Sequence, residues 1–374
     1  METYLRDLML ALTKTNVISH ALVHDHEKHA LARTSWLQTP AGKAKVVRAS
    51  RWMTLGFVPV SPGFPYLLMR LIKQTKPAVL HLHLPNASAF WALVVPAARG
   101  LPWVLHWHSD VPDDIFSSSR WLRLLEKPYR LLEIAILSRA ANVIVTSPPY
   151  LESSRAINQY KYKCSVVPLG IQPPVEVNAH SAVAFGRATE GRKLRVLAIG
   201  RLSYYKGFDL LIEALRHVQC AELRLVGDGD RKDALNRLTD VHGLDDRVTL
   251  MGSLSDSELE SSWEWCDCVC LPSIERSEAF GVVLLEAMAR GKACLAADVE
   301  GSGMGWLVDN GITGFTFEPQ SVSSLTRALV CAGQNLQALD EMGRAGQRKF
   351  HEELDIDRSS RLVRGIYDRA GNHG

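Results

Sequence analysis

Two cations five residues apart are the first residues of this sequence whose types and spacing suit phosphate chemistry. Arg201 and Lys206 lie in the segment from Gly200 to Gly207, which follows an apolar run and precedes an amphipathic one. The glycines permit a tight turn and a close approach of the backbone to a ligand. Arginine offers a planar fork of donors and lysine a point charge, so the pair suits a diphosphate. A solvated basic loop is the alternative.

The segment from Pro272 to Glu286, with the sequence PSIERSEAFGVVLLE, is the most informative one in the chain. A helix is predicted to begin near Gly281, where free backbone amides and the helix dipole favour anionic oxygens. Glu278 lies just before that helix and Glu286 lies one and a half turns inside it. Each carboxylate can accept hydrogen bonds from two neighbouring hydroxyl groups of a sugar or a ribose. The alternative is that both are ordinary surface glutamates. That alternative is acceptable for either residue alone but explains the pair poorly.

Two Asp-x-Asp pairs resemble a metal-binding signature of another transferase fold. Asp228 and Asp230 lie in a strand-to-helix turn that begins at Gly227, and Asp355 and Asp357 precede a terminal helix. Turn and N-cap chemistry accounts for aspartates at such places. The sequence therefore predicts no metal at either pair.

Four histidines lie near the ends of two neighbouring predicted strands. They are His81, His83, His106 and His108. The last of them would point from the carboxyl end of its strand into a cleft, and a lone histidine there would more often be structural. A metal site built from three of these side chains is an alternative, but no carboxylate pattern accompanies them.

Alternating apolar runs and amphipathic stretches provide the elements that must position these residues. Strands are predicted at Asn16–Val23, Lys45–Arg48, Ala78–His83, Trp103–His108, Asn142–Thr146, Ser165–Leu169, Leu194–Ile199, Glu222–Val226, Val248–Met251, Cys268–Leu271, Cys294–Ala297 and Gly314–Phe317. Helices are predicted around Leu5–Leu12 and near 62–75, 86–99, 120–140, 149–159, 207–218, 230–241, 255–265, 280–290, 321–333, 335–350 and 358–370. Such alternation predicts an α/β fold of parallel sheets covered on both faces.

The domain boundaries follow from composition. Residues 172–193 are rich in Pro, Ala and Gly and form the predicted linker. Residues 1–171 form a first doubly wound domain and residues 194–351 a second. Two such domains enclose a cleft, and ligands bind at the carboxyl ends of the strands.

The charge is divided unequally between the two halves. The 374 residues carry a formal net charge of +3, but residues 1–170 hold 20 Lys and Arg against 10 Asp and Glu. The remainder is net acidic. A basic half favours anionic partners such as phospholipid surfaces or phosphates. Nucleic acid is not predicted as a partner, because no RNA- or DNA-binding module is recognisable.

The sequence predicts a cytoplasmic protein. No apolar run reaches the roughly 18 residues of a membrane-spanning helix, and the first residues do not form a signal peptide. The seven cysteines show no zinc or disulfide spacing, and the alternation from Cys266 to Cys270 predicts a buried strand with free thiols. The helix near 120–140 is expected to pack its apolar face on the sheet and to turn its basic face toward an anionic membrane.

Taken in order, these motifs resemble the nucleotide-sugar half of family 4 glycosyltransferases, which are retaining enzymes of the GT-B fold. The matching motifs are Gly200-Arg, Lys206-Gly, Gly227-Asp-Gly, Leu271-Pro-Ser, Glu278-x7-Glu286 and Gly291-Lys. The stretches His83-Leu-Pro-Asn86, His106-Trp-His-Ser-Asp110, Glu275–Gly281 and Gly314-Phe are most similar to bacterial mannosyl- and rhamnosyltransferases of polysaccharide assembly. The resemblance covers nearly the whole chain and is densest over residues 194–320. It also implies that residues 352–374, with a helix near 358–370, pack back on the first domain.

The resemblance implies a role for each matching residue. Donor binding is assigned to Gly200, Arg201, Lys206, Gly227, Glu278, Phe280, Gly281, Val282 and Glu286. Among these, Arg201 and Lys206 match the diphosphate cations, Glu278 matches the carboxylate at the donor sugar and Glu286 matches the ribose carboxylate. The catalytic set is His108, Glu278, Arg201 and Lys206. On the acceptor side the resemblance points to His83, Asn86 and Asp110.

The resemblance also implies the substrates. The donor is expected to be a GDP-sugar, with a UDP-sugar as the other choice, and no metal or other cofactor is required. The acceptor is expected to be a lipid-linked glycan, bound by a basic first domain at the inner face of the plasma membrane. Mannose or rhamnose is the favoured transferred sugar.

The start of the chain departs from the family pattern. Family members begin with a strand and a Gly-Gly loop, and this sequence begins with a segment that normally follows that loop. One interpretation is an upstream start in the working protein, and the other is a truncated product that binds a nucleotide-sugar without turnover. An epimerase of the same fold is a further alternative, whereas a phosphorylase would need a pyridoxal-binding lysine motif that is not seen.

Overall fold

The structure is a computed structural model that describes residues 2–25, 31–55, 58–111, 120–174 and 192–371. The chain divides into two compact units, which are treated separately below. Unit 1 consists of Met1–Gly170 and Ile356–Gly374, and unit 2 of Ile171–Asp355. Most of the predicted linker, residues 175–191, lies outside the described residues. The returning segment begins at Ile356 by this division, four residues later than the predicted start at 352.

Strands and helices alternate through much of the described chain. The strands are β1 Ala21–His24, β2 Arg33–Thr39, β3 Gly42–Ala49, β4 Met53–Leu55, β5 Val58–Val60, β6 Leu80–Leu84, β7 Trp103–Trp107, β8 Asn142–Val145, β9 Cys164–Val166, β10 Leu194–Ile199, β11 Ala221–Val226, β12 Val248–Gly252, β13 Cys268–Leu271, β14 Ala293–Ala297 and β15 Gly314–Phe317. The α-helices are α1 Glu2–Thr13, α2 Phe64–Thr75, α3 Pro96–Arg99, α4 Arg120–Arg139, α5 Pro148–Ser153, α6 Phe208–Leu215, α7 Lys232–Val241, α8 Asp256–Trp265, α9 Val282–Ala289, α10 Met304–Leu307, α11 Val322–Gln334, α12 Leu336–Lys349 and α13 Ile356–Gly371.

Unit 1 contains a parallel four-stranded sheet and a mixed three-stranded sheet. The parallel sheet has the order β6-β7-β8-β9, and the other has the order β1-β3-β2. Strands β1 and β6 are edge strands of the two sheets, and residues of both line a cavity of about 1260 Å³. The cavity lies wholly within unit 1 and is also lined by α1, α2 and α13.

The antiparallel hairpin of β2 and β3 was missed by the sequence analysis. The register pairs Arg33 with Arg48 and Thr39 with Gly42. Only the part of β3 near Lys45–Arg48 was predicted as a strand. Most residues of β2 are exposed, so the strand has no apolar run from which to recognise it. The predicted helix near 86–99 is likewise replaced by the 3₁₀ segment Ala87–Leu93 and the short α3.

The core of unit 1 includes the two terminal helices. Leu8 and Leu12 of α1 are buried with Val363 and Ile366 of α13 and with Val104 of β7. Their spacing of three and four residues places them on one face of each helix. The sequence therefore positions both ends of the chain through ordinary amphipathic packing.

Unit 2 contains one parallel six-stranded sheet in the order β12-β11-β10-β13-β14-β15. The chain proceeds outward from β10 in one direction and then resumes from β13 in the other. This is a doubly wound order with its switch point between β10 and β13, where ligands bind at the carboxyl ends of strands. The loops after these two strands are therefore neighbours in unit 2.

Strand β13 is buried along its whole length, as the alternating cysteines predicted. Cys268 and Cys270 are fully buried, and all seven cysteines are free thiols. Burial raises the pKa of the Cys266 thiol to about 11 and that of the Cys294 thiol to about 12. These thiols stay protonated at neutral pH, so they act as small apolar core groups.

Helix α4 buries an apolar face that includes Ile136 and Leu137. Leu124 and Leu131 are nevertheless 68% and 66% exposed, whereas Glu133 is only 3% exposed. The helix therefore turns a stripe of leucines outward and carries one carboxylate on its buried face. Within the residues that the structure describes, every helix falls short of the length and apolarity that crossing a membrane requires.

Candidate functional site

The turns after β10 and β11 are interlocked through two glycines. Gly227 has a φ of 139°, and a Cβ atom there would lie 1.9 Å from the carbonyl oxygen of Gly200. The amide of Gly200 donates to the carbonyl of Val226 at 3.0 Å, and the amide of Leu202 donates to the carbonyl of Asp228 at 3.0 Å. Glycine is required at position 227 because any side chain there would prevent the two backbones from approaching this closely.

A second close approach joins the turn after β10 to the loop after β13. Gly207 has a φ of 64°, and a Cβ atom there would lie 2.2 Å from the carbonyl oxygen of Pro272. The amide of Ile274 donates to the carbonyl of Tyr205 at 2.9 Å. The two loops predicted to bind the donor are thus held against each other by backbone contacts.

Lys206 and Glu278 form an ion pair between these two loops. The Nζ atom of Lys206 donates to the Glu278 carboxylate, and the two side chains are 11% and 15% exposed. The same Nζ lies 5.6 Å from the centroid of the Tyr205 ring. A Cβ atom on Gly200 would lie 3.4 Å from it, so the lysine crosses directly over that glycine. The structure therefore brings the predicted phosphate cation and the predicted sugar carboxylate together.

Arg201 differs from Lys206 in its surroundings. Its side chain is exposed, whereas Lys206 is buried. The nearby Asp228 behaves as a turn residue, because its carboxylate accepts the amide of Gly229 at 2.8 Å and lies 3.8 Å from the Nζ of Lys232. Asp357 of the other Asp-x-Asp pair is bound to Lys14 at 2.8 Å.

The N-terminus of α9 follows Glu278 by three residues. Gly281 caps the helix with a φ of 84°, and a Cβ atom there would lie 3.0 Å from a side-chain carbon of Leu271. Phe280 is buried, while Val282 is partly exposed on the first helical turn. Because the first amides of an α-helix have no partner within the helix, they can receive anionic oxygens.

Ser302 is a positioning residue that the sequence analysis missed. Its hydroxyl donates to the backbone carbonyl of Glu278, and the amide of Gly303 donates to the carbonyl of Ala279 at 2.8 Å. Ser302 is 2% exposed. It lies more than twenty residues from Glu278 in the sequence, so no local pattern could link the two.

Glu286 lies on the second turn of α9. Burial raises the pKa of its carboxyl, and the nearby Arg290 acts in the opposite direction. Arg290 is shared, because it also binds Glu260 at 2.9 Å. A carboxylate in such surroundings is incompletely neutralised, and hydroxyl donors from a ligand would stabilise its charged form.

The four histidines of unit 1 form one stack on a face of the parallel sheet. His83 lies opposite His106 in the register of β6 and β7, and the His106 and His108 ring centroids are 4.3 Å apart with planes 6° from parallel. The Nδ1 atom of His83 and the Nε2 atom of His108 are 2.9 Å apart, at hydrogen-bond distance. Burial and neighbouring imidazoles hold the pKa of His81, His106 and His108 well below its usual value, and burial lowers the pKa of His83 to about 4. The stack is therefore neutral at pH 7.

Two tyrosines that the sequence analysis did not single out cover this stack. The Tyr367 hydroxyl of α13 lies 2.6 Å from Nδ1 of His81, and the Tyr4 ring of α1 meets the His106 ring edge to face at 5.6 Å. Burial raises the pKa of both phenols. Helical spacing alone marks both tyrosines as core residues, which is why they were not recognised as neighbours of the histidines.

Three of the histidines have the ligand types of a metal site. Ring nitrogens of His81, His83 and His106 lie within 4.8 Å of one another. A zinc ion needs ligand nitrogens about 2.0–2.1 Å away, each with its lone pair in the plane of its ring. The His83 and His106 planes are within 20° of parallel at a centroid distance of 5.1 Å. Stacked rings do not direct their lone pairs at a common point, which disfavours ligation. Among the described residues, both ring nitrogens of His106 are buried without a hydrogen-bond partner.

The acceptor-side candidates have structural partners. The side-chain oxygen of Asn86 accepts the amide of Ser88 and caps the 3₁₀ segment. One oxygen of Asp110 accepts from Trp107 at 2.8 Å and from Ser154 at 2.6 Å. Their roles toward an acceptor stay predictions, as does the role of His108, whose Nε2 lies 2.9 Å from Nδ1 of His83.

Comparisons with known sequences cover both units. Residues 1–173 match the profile of Glycosyltransferase Family 4, and residues 184–349 match that of Glycosyl transferases group 1. The O-antigen chain mannosyltransferase C of Escherichia coli is 26% identical over 68% of this chain and 65% of its own length. The D-rhamnosyltransferase WbpZ of Pseudomonas aeruginosa is 27% identical over 67% of this chain and 63% of its own. The matched region thus spans slightly less than two thirds of each relative.

Comparisons with solved structures confirm the predicted fold class. Sucrose-phosphate synthase from Thermosynechococcus elongatus superposes with a TM-score of 0.77 at 20% identity, over 99% of this chain and 93% of that one. Anabaena HepE, solved in complex with UDP, superposes with a TM-score of 0.66 at 22% identity, over 86% of each chain. At these identities the similarity concerns the fold alone.

We expect the interlocked turns to be intolerant of a methyl group. Gly227→Ala should lower the free energy of unfolding by about 3 kcal/mol or more, since the new carbon would clash with backbone rather than with a flexible side chain. Gly311→Ala is the matched control, because Gly311 has a φ of 78° but open space around it; its cost should be about 1–2 kcal/mol. Urea denaturation measures both, and equal losses would contradict the assignment.

The ion pair should behave as a coupled unit. Lys206→Met should cost about 3 kcal/mol of stability, because it leaves a largely buried carboxylate without its partner. Adding Glu278→Gln in the same chain should recover part of that loss. Arg216→Met is the control for the more exposed pair Arg216–Glu213 and should cost about 0.5 kcal/mol. Additive effects of the two substitutions would argue against the pair.

The neutral histidines should make unfolding sensitive to acid. Their folded-state pKa values are lowered below about 6.5, so the unfolded chain binds more protons and stability falls as the pH drops below that value. Each fully contributing histidine adds about 1.4 kcal/mol per pH unit to the slope of the unfolding free energy against pH. His106→Leu should reduce the slope between pH 6.5 and 5, whereas the exposed His351→Leu should not. Identical slopes for wild type and His106→Leu would refute the neutral stack.

Proposed function

We propose that this chain is a retaining hexosyltransferase of the family 4 glycosyltransferases that uses a nucleotide diphosphate-sugar as its donor. The observation that carries the proposal is the Lys206–Glu278 pair at the switch point of unit 2, beside the N-terminus of α9. The pair offers a cation and a carboxylate at one place, which suits a phosphate joined to a sugar.

Donor recognition would follow from the chemistry of the loops. The diphosphate would lie against Lys206, Arg201 and the first amides of α9, which together supply a positive electrostatic environment. Glu278 would accept hydrogen bonds from the donor sugar and Glu286 from the ribose. Anabaena HepE was solved in complex with UDP, which supports a nucleotide ligand for this fold.

Transfer would break the bond between the anomeric carbon and the diphosphate oxygen. The bonding electrons leave with the diphosphate, where Lys206 and Arg201 stabilise the growing charge. The acceptor hydroxyl would attack the anomeric carbon on the same face, and its proton would pass to an oxygen of the departing diphosphate. His108 of unit 1 is proposed to contact the sugar near the reacting carbon. No metal is required in this scheme, because the cations and the helix N-terminus neutralise the leaving group.

A lipid-linked glycan is the proposed acceptor, and unit 1 is the proposed acceptor domain. The names of the two bacterial relatives, an O-antigen mannosyltransferase and a D-rhamnosyltransferase, favour mannose or rhamnose and a role in polysaccharide assembly. A GDP-sugar is the preferred donor and a UDP-sugar the alternative. The excess of basic residues over 1–170 supports contact with an anionic membrane from the cytoplasmic side.

Donor choice can be measured by thermal shift with GDP-mannose, GDP-rhamnose, UDP-glucose and ADP-glucose. We expect GDP-sugars to raise the melting temperature most, in the presence of EDTA as well as without it. Transfer to a polyprenyl-linked glycan should then yield a product with the donor's anomeric configuration, read by NMR. Inversion would refute the retaining mechanism. Donor binding without transfer to any acceptor would refute the transferase activity and indicate a nucleotide-sugar-binding protein instead.

Glu286→Gln separates binding from stability. The carboxylate has a raised pKa, so ionising it in the folded protein costs free energy, and the amide should equal or exceed the wild type in stability at pH 7 without ligand. The stability advantage should shrink as the pH falls toward the raised pKa. Donor affinity should nevertheless fall about tenfold or more, because charged acceptors form stronger hydrogen bonds. Unchanged affinity by calorimetry would remove Glu286 from the donor site.

A further inference from the structure

Helix α4 of unit 1 exposes a row of leucines in addition to burying an apolar face that includes Ile136 and Leu137. Its outward face carries Leu124, Pro128 and Leu131, which are spaced by four and three residues and therefore lie along one side of the helix. Leu124 and Leu131 are 68% and 66% exposed. Leu125 and Leu132 extend the same stripe and are 50% and 40% exposed.

The buried face of the helix combines apolar side chains with one carboxylate. Glu133 is 3% exposed, and its carboxylate accepts from Arg130 at 2.8 Å. Burial raises the pKa of the Glu133 carboxyl, and the adjacent Arg130 counteracts this. The leucines on the other face are costly for an isolated soluble surface, because their exposed apolar area gains nothing from burial.

The exposure is concentrated at this helix. Of the 19 large apolar side chains exposed in the described residues, five lie on α4, namely Leu124, Leu125, Leu131, Leu132 and Ile134. Trp91 and Val94 are also exposed, and they belong to or adjoin the 3₁₀ segment that packs against α4. The Phe90 ring of that segment meets the Tyr129 ring of α4 edge to face. Single exposed leucines need no explanation, but a row of them on one helix does.

The charges beside the stripe identify the surface that would cover it. Arg123 and Lys127 are exposed and lie on the same helix, on one flank of the leucines. They belong to a region, residues 1–170, in which basic residues outnumber acidic ones two to one. A helix with leucines on one side and basic residues at their margin suits the boundary between headgroups and acyl chains of an anionic bilayer.

We infer that the outward face of α4 is the membrane-docking element of this protein, with Leu124, Leu125, Leu131 and Leu132 inserted among the lipids of an anionic bilayer. Arg123 and Lys127 contact the phosphate headgroups. The inference rests on the proposed function in one respect, since a lipid-linked acceptor gives the contact its purpose. It assigns to the membrane a leucine face in addition to the basic face that was expected there.

Vesicle flotation tests the inference without any donor or acceptor. Wild-type protein should float with vesicles of phosphatidylglycerol and phosphatidylethanolamine and not with vesicles of phosphatidylcholine alone. Leu124→Ser/Leu131→Ser should weaken binding about tenfold or more, because two leucines would no longer be buried in lipid. Arg123→Gln/Lys127→Gln should weaken it about fivefold per charge at low salt.

Matched substitutions on unit 2 provide the control. Val241 and Ile312 are 79% and 62% exposed, so Val241→Ser/Ile312→Ser removes similar apolar area at sites remote from α4 in the sequence. This variant should float like the wild type. Circular dichroism should show all variants folded with unfolding free energies within about 0.5 kcal/mol of the wild type, as expected for surface changes.

Two outcomes would overturn the inference. One is wild-type flotation that the leucine double variant leaves unchanged. The other is a concentration-dependent dimer in analytical ultracentrifugation that the same variant abolishes, which would assign the stripe to a second copy of the chain. Failure of the proposed donor chemistry is distinguishable, since it would leave flotation intact and remove only the thermal shift with nucleotide-sugars.

Discussion

The ion pair between Lys206 and Glu278 is the interaction on which the candidate donor site depends. It joins loops that follow two different strands, and the strand order makes those loops neighbours. Neither charge is fully exposed, so each needs the other to offset its loss of hydration. The backbone contact of Gly207 with Pro272 sets the distance between the loops, and the ion pair then fixes the side chains within it.

The two units use different means to hold polar groups inside. Unit 2 buries opposite charges together, and its carboxylate at Glu286 keeps a raised pKa because Arg290 is shared with Glu260. Unit 1 instead buries imidazoles that avoid charge altogether and stack face to face under two tyrosines. The first arrangement is prepared for an anionic ligand with hydroxyl groups. The second is a neutral stack of imidazoles whose stability depends on staying unprotonated.

Helix α4 shows the limit of periodicity as evidence. The sequence pattern places Leu124 and Leu131 on one side of the helix and Glu133 on another, and both statements hold in the structure. Apolar residues also occur on other sides of the helix, so the pattern does not say which of them face the protein. The structure buries Ile136 and Leu137 beside Glu133, whose carboxylate is bound by Arg130, and leaves Leu124 and Leu131 outside. The hairpin of β2 and β3 was missed for a related reason, since its stability comes from pairing rather than from an apolar run.

The sequence by itself determined the α/β alternation, the parallel sheets, the glycines at the strand-end turns and the residue types of the candidate donor site. These follow from local rules, because hydrophobic period and turn chemistry act over a few residues. Only the tertiary structure decided that Lys206 meets Glu278, that Ser302 holds the carbonyl of Glu278, and that four histidines form one stack. Such contacts join residues far apart in the chain, and they exist only once strand order and register have set the distances between them.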